Sequence, residues 1–182
     1  FCDLRGFTAR SDRMSPQQVV QMLDGYFDCV ADAISSHGGE VLKFVGDAIL
    51  AIFPTGDRTE DACRRAASAA DQALAALARL NDAQPSEERL AMGIALHLGE
   101  VMYGNIGSRD RLDFTVISSS VNETCRLEAL CKPLNTPITL SESFAKSLPG
   151  EQLVDLGEHE LKGVQAPLRV FTFARHLQGH PV

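Results

Sequence analysis

Nowhere does the chain run apolar for the roughly 20 residues that a membrane-crossing helix needs, and nothing in it reads as a signal peptide. It also lacks a basic excess. Seventeen Lys and Arg against 24 Asp and Glu leave a net charge of −7, whereas a nucleic-acid backbone rewards clustered cations, so no nucleic-acid partner is expected. Any anionic ligand must therefore meet local positive charge. The five cysteines contain no C-x-x-C pair; an odd set of this kind fits reduced, buried thiols better than a disulfide framework or a zinc site, and a cytoplasmic location is expected. Internal repeats, low-complexity segments and linkers are absent as well. What remains is 182 residues with 45% hydrophobic content, enough to bury one sizeable core, and nothing in the length asks for a second domain. Because the chain opens at Phe1 inside a strand-like segment, it reads as cut from a longer protein whose upstream flank carries a regulatory or sensor domain or a membrane anchor.

The periodicity predicts alternating strands and helices. Phe1 to Leu4 reads as a strand end running into a turn at Gly6. Ser15-Pro16-Gln17-Gln18 is a capping box with proline at the first helical position. Val19, Val20, Met22, Leu23, Tyr26, Phe27, Val30 and Ile34 then recur at helical spacing until Gly38-Gly39. Val41 to Val45 and Ala48 to Phe53 are apolar runs joined by Gly46-Asp47, a hairpin signal that puts Asp47 at the turn. Thr59 caps an alanine-rich helix to about Leu80, and Leu90 to Leu98 gives a strand ended by Gly99. A glycine-punctuated segment to Gly107 precedes a strand from Asp113 to Ile117. Ser120-Val121-Asn122-Glu123 reads as a second capping box for a helix to about Leu130. Strands at Ile138 to Leu140, Leu153 to Leu156 and Leu168 to Phe173 follow, with a short helix near Ser141 to Leu148. The fold class expected is α+β, a ferredoxin-like βαββαβ core with additional C-terminal strands and a helix. The domain is expected to span residues 1–174, with 175–182 as a tail.

Two segments far apart in sequence, Phe1-Cys2-Asp3-Leu4-Arg5-Gly6-Phe7-Thr8 and Lys43-Phe44-Val45-Gly46-Asp47-Ala48, each place a carboxylate at the edge of an apolar strand beside a glycine turn. Taken singly, Asp3 could flank a helix and Asp47 could be an ordinary turn residue. Taken together, two carboxylates that are costly to dehydrate invite an oxygen-binding cation, Mg²⁺ or Mn²⁺. Asn122 and Arg126 lie four apart on one helix face and can point at one ligand. His97 shows no ligand spacing and reads as a core or edge residue.

These blocks, with Asp113 to Glu128, resemble the class III adenylyl/guanylyl cyclase catalytic domain. The strand motif F-x-D-I-x-G-F-T is matched at Phe1 to Thr8, the hairpin motif K-x-x-G-D at Lys43 to Asp47, and V-N-x-x-x-R at Val121 to Arg126. The resemblance implies an adenylyl cyclase that converts ATP to 3′,5′-cyclic AMP and pyrophosphate. It implies that Asp3 and Asp47, with the backbone carbonyl of Leu4, hold two Mg²⁺ or Mn²⁺ ions per site, and that the amides around Gly6, Phe7 and Thr8 cradle phosphate oxygens. Lys43 and Thr115 occupy the purine positions; an ammonium can donate to adenine N1 but opposes the N1–H of guanine, which favours ATP. Asn122 would orient the ribose, Arg126 would stabilise the α-phosphate in the transition state, and Lys162 would bind the triphosphate. A head-to-tail homodimer with shared active sites is implied too. A guanylyl cyclase and a nucleotide-binding regulatory module without turnover are the alternative readings. Ser118-Ser119 stands where the family commonly reads Gly-Asp, and Met92-Gly93 where many members carry an arginine.

Overall fold

The elements form where local chemistry allows a helix or strand to begin and end. The computed structural model describes residues 1–82, 84–107, 112–161 and 166–177, with the backbone alone at positions 87, 106 and 112–115. It divides into two compact units, Cys2–Met92 and Gly93–Val182, the latter including Phe1.

In the first unit the chain runs β1 (Cys2–Leu4), α1 (Phe7–Ser11), α2 (Pro16–Ser36), β2 (Glu40–Val45), β3 (Ala48–Ile52) and α3 (Thr59–Asp82). The expected capping box is present: Ser15 Oγ accepts from the Gln18 amide, and the Gln18 side chain accepts from the Ser15 amide at 2.9 Å. The helix stops where Gly38 takes φ 71°, a conformation with no steric penalty for glycine. The three strands lie in the order β2-β3-β1, and every neighbouring pair is antiparallel. Gly46, at φ 64°, turns the β2–β3 hairpin. α3 buries Ala62, Ala66, Ala67, Ala69, Ala70, Ala73 and Leu77 along one stripe, and side chains this small let α2 pack closely against it. The Arg65 guanidinium of α3 donates to the carbonyls of His37 (3.1 Å), Gly38 (2.9 Å) and Pro54 (3.2 Å), so one side chain fastens the end of α2 and the exit from β3.

In the second unit β4 (Met92–Leu96), β7 (Ile138–Ser141), β9 (Leu168–Phe173) and β8 (Leu153–His159) lie side by side in that order. β4 and β7 are parallel, and the other pairs are antiparallel. β5 (Met102–Gly107) and β6 (Leu112–Ile117) form a separate ribbon. Helix α4 spans Ser119–Ala129 and α5 spans Glu142–Lys146. Behind β7 lies a buried polar cluster. The Thr136 and Thr172 hydroxyls meet at 2.8 Å, Thr172 donates to the Ile138 carbonyl at 2.7 Å, and Thr139 donates to the Leu127 carbonyl at 2.9 Å. All three threonines are fully buried, so each of these bonds prevents the cost of an unpaired hydroxyl.

The element order βαββαβ, followed by further strands and helices, is the expected one, and the α+β class stands. Three expectations change. Residues 102–107, read from sequence only as a glycine-punctuated segment, form a strand, because their backbone pairs with β6 from Met102↔Ile117 to Gly107↔Leu112. A five-residue helix follows Gly6. The second capping box does not form: the helix is capped at Ser118 without a side-chain bond, and Ser120 Oγ donates instead to the Glu100 carbonyl at 3.1 Å. Predicted from the first capping box, Ser15→Ala should lower stability by about 1 kcal/mol, read as a lower urea midpoint with an unchanged denaturant slope.

Candidate functional site

The first unit gathers one group of candidate residues. β1 and β3 are hydrogen-bonded neighbours with Cys2 opposite Ile49. Continuing that antiparallel register sets Asp3 beside Ala48 and Leu4 beside Asp47, so the backbones of Asp3 and Asp47 lie one position apart across the strand pair. Both carboxylates are partly buried, and Leu4 itself is buried at 6% exposure. No Lys or Arg forms an ion pair with Asp47 among the described residues. Beneath them the Tyr26 ring of α2 is fully buried, with its hydroxyl donating to Cys2 Sγ at 3.4 Å. Burial pushes the Tyr26 phenol far above its ordinary value, and its hydrogen bond to Cys2 and the negative charges of Asp3 and Asp47 add to the effect. Burial likewise pushes the Cys2 thiol up, which keeps it neutral.

The donor set suits a hard divalent cation. Two carboxylates and a backbone carbonyl offer only oxygen, and Mg²⁺ is usually held by one or two carboxylates with water and substrate phosphate completing its shell. Among the described residues no cluster of three or more His, Cys, Asp or Glu could hold a metal, so no all-protein cage competes with this pair.

Next to the carboxylates, Gly6 takes φ 71° and opens α1. Gly6 and Thr8 are exposed, and Phe7 is partly buried. Of the amides expected to cradle phosphate, that of Arg5 is already committed to the Ala91 carbonyl at 2.8 Å; those of Gly6, Phe7 and Thr8 remain the candidates at the first turn. Lys43 is exposed on β2, opposite Leu50, just past a register shift between Val41 and Lys43. A bulge of this kind re-aims the side chains that follow it: Lys43, Phe44 and Val45 are all exposed rather than alternating. Phe44 nonetheless stacks on Phe27 of α2, with ring centroids 4.6 Å apart.

The second unit carries another group. Asn122 and Arg126 are exposed on α4, one turn apart. The helix is held from within the unit: Thr139 bonds the Leu127 carbonyl at 2.9 Å, and the Glu128 carboxylate fills the space that a Cβ on Gly93 would need. Glycine at 93 is thus explained by close packing against α4. His97 lies just past β4 with its side chain 10% exposed and Nε2 3.8 Å from the Glu123 carboxylate. Burial pushes its pKa down, against the opposing pull of Glu123. It is a packed residue behind the first turn of α4, as the spacing suggested. Thr115 lies on β6 with its backbone opposite Gly104; its side chain, and Lys162 entirely, lie outside the described residues. Tyr26 and Cys2 escaped the sequence reading as functional neighbours, because an aromatic at an apolar helical position carries no sign of the carboxylates above it.

The chain resembles known proteins over nearly its whole length. Residues 1–175 match the family of the adenylate and guanylate cyclase catalytic domain. An adenylate cyclase of Anabaena cylindrica is 36% identical over 154 residues, covering 81% of this chain and 30% of that protein; the chain spans under a third of this curated relative. The solved structure of a bacterial light-regulated adenylyl cyclase superposes with a TM-score of 0.87 at 26% identity, over 98% of this chain and 51% of that one. The structure of the guanylyl cyclase Cya2 superposes at 0.82 with 32% identity, over 100% and 92%. No helix among the described residues is long and apolar enough to cross a membrane. With its paired strand-edge carboxylates and its Asn-Arg helix face, the chain belongs to the adenylate and guanylate cyclase catalytic-domain family.

Proposed function

We propose that residues 1–174 form an adenylyl cyclase domain that converts ATP to 3′,5′-cyclic AMP and pyrophosphate. The observation that supports this reading is the antiparallel pairing of β1 with β3, which sets Asp3 on β1 within one backbone position of Asp47 in the β2–β3 turn. Two divalent ions bound there would lower the pKa of the ribose 3′-hydroxyl and offset charge on the triphosphate. Asp3, Asp47 and the Leu4 carbonyl hold them. The amides of Gly6, Phe7 and Thr8 receive phosphate oxygens, and Lys162 adds a cation to the triphosphate. Asn122 orients the ribose so that its 3′-oxygen lies in line with the α-phosphorus. Arg126 meets the charge that builds on the α-phosphate as the bond to pyrophosphate breaks; its permanent charge and planar fork suit that position.

Lys43 and Thr115 select the base. Lys43 donates to adenine N1, and the Thr115 hydroxyl accepts from the 6-amino group; guanine would set its N1–H against the ammonium. A guanylyl cyclase remains the second reading because the structure of one is 32% identical over the whole chain. The two are separated by measuring cyclic nucleotide formed from ATP and from GTP with Mn²⁺ and with Mg²⁺.

The residues of the two groups act together across a head-to-tail homodimer, in which one subunit supplies Asp3 and Asp47 and the other Asn122 and Arg126. A partner that feeds this domain a signal would lie in further domains of the full protein.

Four outcomes follow from the roles above. Asp47→Asn should lower turnover by at least about 10²- to 10³-fold, the loss typical of removing one electrostatic stabiliser; more than half the wild-type rate in saturating Mn²⁺ would rule out the two-metal assignment. Lys43→Glu should raise use of GTP relative to ATP, because a carboxylate accepts from guanine N1–H. ATP preference in the native chain should stay below the discrimination of about 10⁴ that a fully committed polar pocket reaches, since the Thr115 hydroxyl can rotate. Finally, Asp47→Ala and Arg126→Ala homodimers should each be inactive, while mixing them should restore up to about a quarter of the wild-type rate, from one intact site per heterodimer at random exchange. No recovery where subunit exchange is shown independently would place the whole site within one chain.

A further inference from the structure

The Asp3–Asp47 pair faces a difficulty of its own. Two like charges at neighbouring strand edges repel, and before a cation arrives the strands gain by moving them apart. Something must hold them at the spacing a metal needs. β1 is only three residues long, and what packs against it from α2 adds to the restraint that its own pairing supplies.

α2 supplies two adjacent aromatics there. Tyr26 is fully buried, and its hydroxyl bonds Cys2 Sγ at 3.4 Å, the residue next to Asp3. Cys2 is also the residue of β1 that faces Ile49 on β3, two positions from Asp47. Phe27, whose ring lies 5.4 Å from that of Tyr26, stacks at 4.6 Å on Phe44 of β2, three positions before Asp47. One turn of α2 thus grips both strands whose ends carry the carboxylates. Phenylalanine would fill the same space and lose only the hydroxyl's bond to Cys2 Sγ.

Resting on the metal-site reading above, we propose that Tyr26 is a positioning residue: through its hydroxyl on Cys2 it fixes β1 so that Asp3 and Asp47 are preset to receive a divalent cation. Tyr26 touches neither metal nor nucleotide. It acts by removing freedom from the carboxylates before binding, in the way that outer-shell partners orient ligands at other metal sites.

The test is Mn²⁺ binding by the whole chain without nucleotide, followed by the electron paramagnetic resonance signal of free Mn²⁺, with thermal unfolding recorded on the same samples. Tyr26→Phe should keep the fold and weaken Mn²⁺ binding about 3- to 10-fold, the worth of one buried hydrogen bond. Cys2→Ala, which removes the acceptor and leaves the phenol, should weaken it comparably. The double variant should be no weaker than either single one, because both delete the same bond. In turnover assays the Mn²⁺ concentration for half-maximal rate should rise while kcat at saturating Mn²⁺ is kept. Melting temperatures that fall with Mn²⁺ affinity unchanged in Tyr26→Phe and Cys2→Ala would make Tyr26 a core residue only and overturn the proposal. Additive losses in the double variant would overturn it as well. Should the native chain bind no Mn²⁺, or bind it equally as Asp47→Asn, the metal-site reading itself fails and the proposal goes with it.

Discussion

The first unit brings Asp3 on β1 and Asp47 in the β2–β3 turn to positions one residue apart across the β1–β3 pairing, and the metal-site reading depends on that placement. A salt bridge would make that easy and would also block a cation, since an ion pair must be broken before a metal can enter. At Asp47 the chain avoids this. Asp47 sits on a glycine turn with no Lys or Arg paired to it among the described residues, and the strand beside it brings Asp3 in from a segment 44 positions earlier. The alanine stripe of α3 lets α2 settle close, α2 presents Tyr26 and Phe27 to the strands, and the buried phenol and thiol are kept neutral by the same burial that makes them rigid.

The second unit meets a different demand. Asn122 and Arg126 have to project from a helix that does not drift, yet α4 has no side-chain cap at its N-terminus. Its anchorage lies elsewhere. Thr139 of β7 binds the Leu127 carbonyl immediately after Arg126, and Glu128 packs against the bare backbone of Gly93. Leu127 itself is fully buried with Ala95 and Val170. The arginine therefore stands one residue from the most tightly held point of its helix, which limits where a long and otherwise flexible side chain can reach.

Much of this was legible in the residues. α2 and the β2–β3 hairpin follow from a capping box, a helical apolar period and glycines at the turn, all local signals. The family motifs located the two carboxylates and the Asn-Arg pair. What escaped depended on partners distant in sequence. Met102 to Gly107 has two glycines and no alternation, and it becomes a strand because β6 pairs with it. The five residues of α1 fall well short of a self-supporting helix; they are held by Gly6 in a left-handed conformation and by Arg10, which donates to the Glu88 and Arg89 carbonyls at 2.8 Å. The pattern Ser120-x-x-Glu123 looked like a cap, but the serine is taken by Glu100 and the glutamate faces His97. Local grammar lost to tertiary competition in each case.

Arg65 touches no candidate site residue, yet its three bonds to the carbonyls of His37, Gly38 and Pro54 make it a cross-link between segments that are 16 positions apart. A disulfide at such a corner would act largely by restricting the unfolded chain. The guanidinium restricts nothing until the fold exists, so its whole effect falls on the native state, and the unfolded chain stays as free as its five reduced cysteines leave it. A protein built this way is tied together reversibly: the corner can open and reclose without any change of covalent structure or any help from a redox partner.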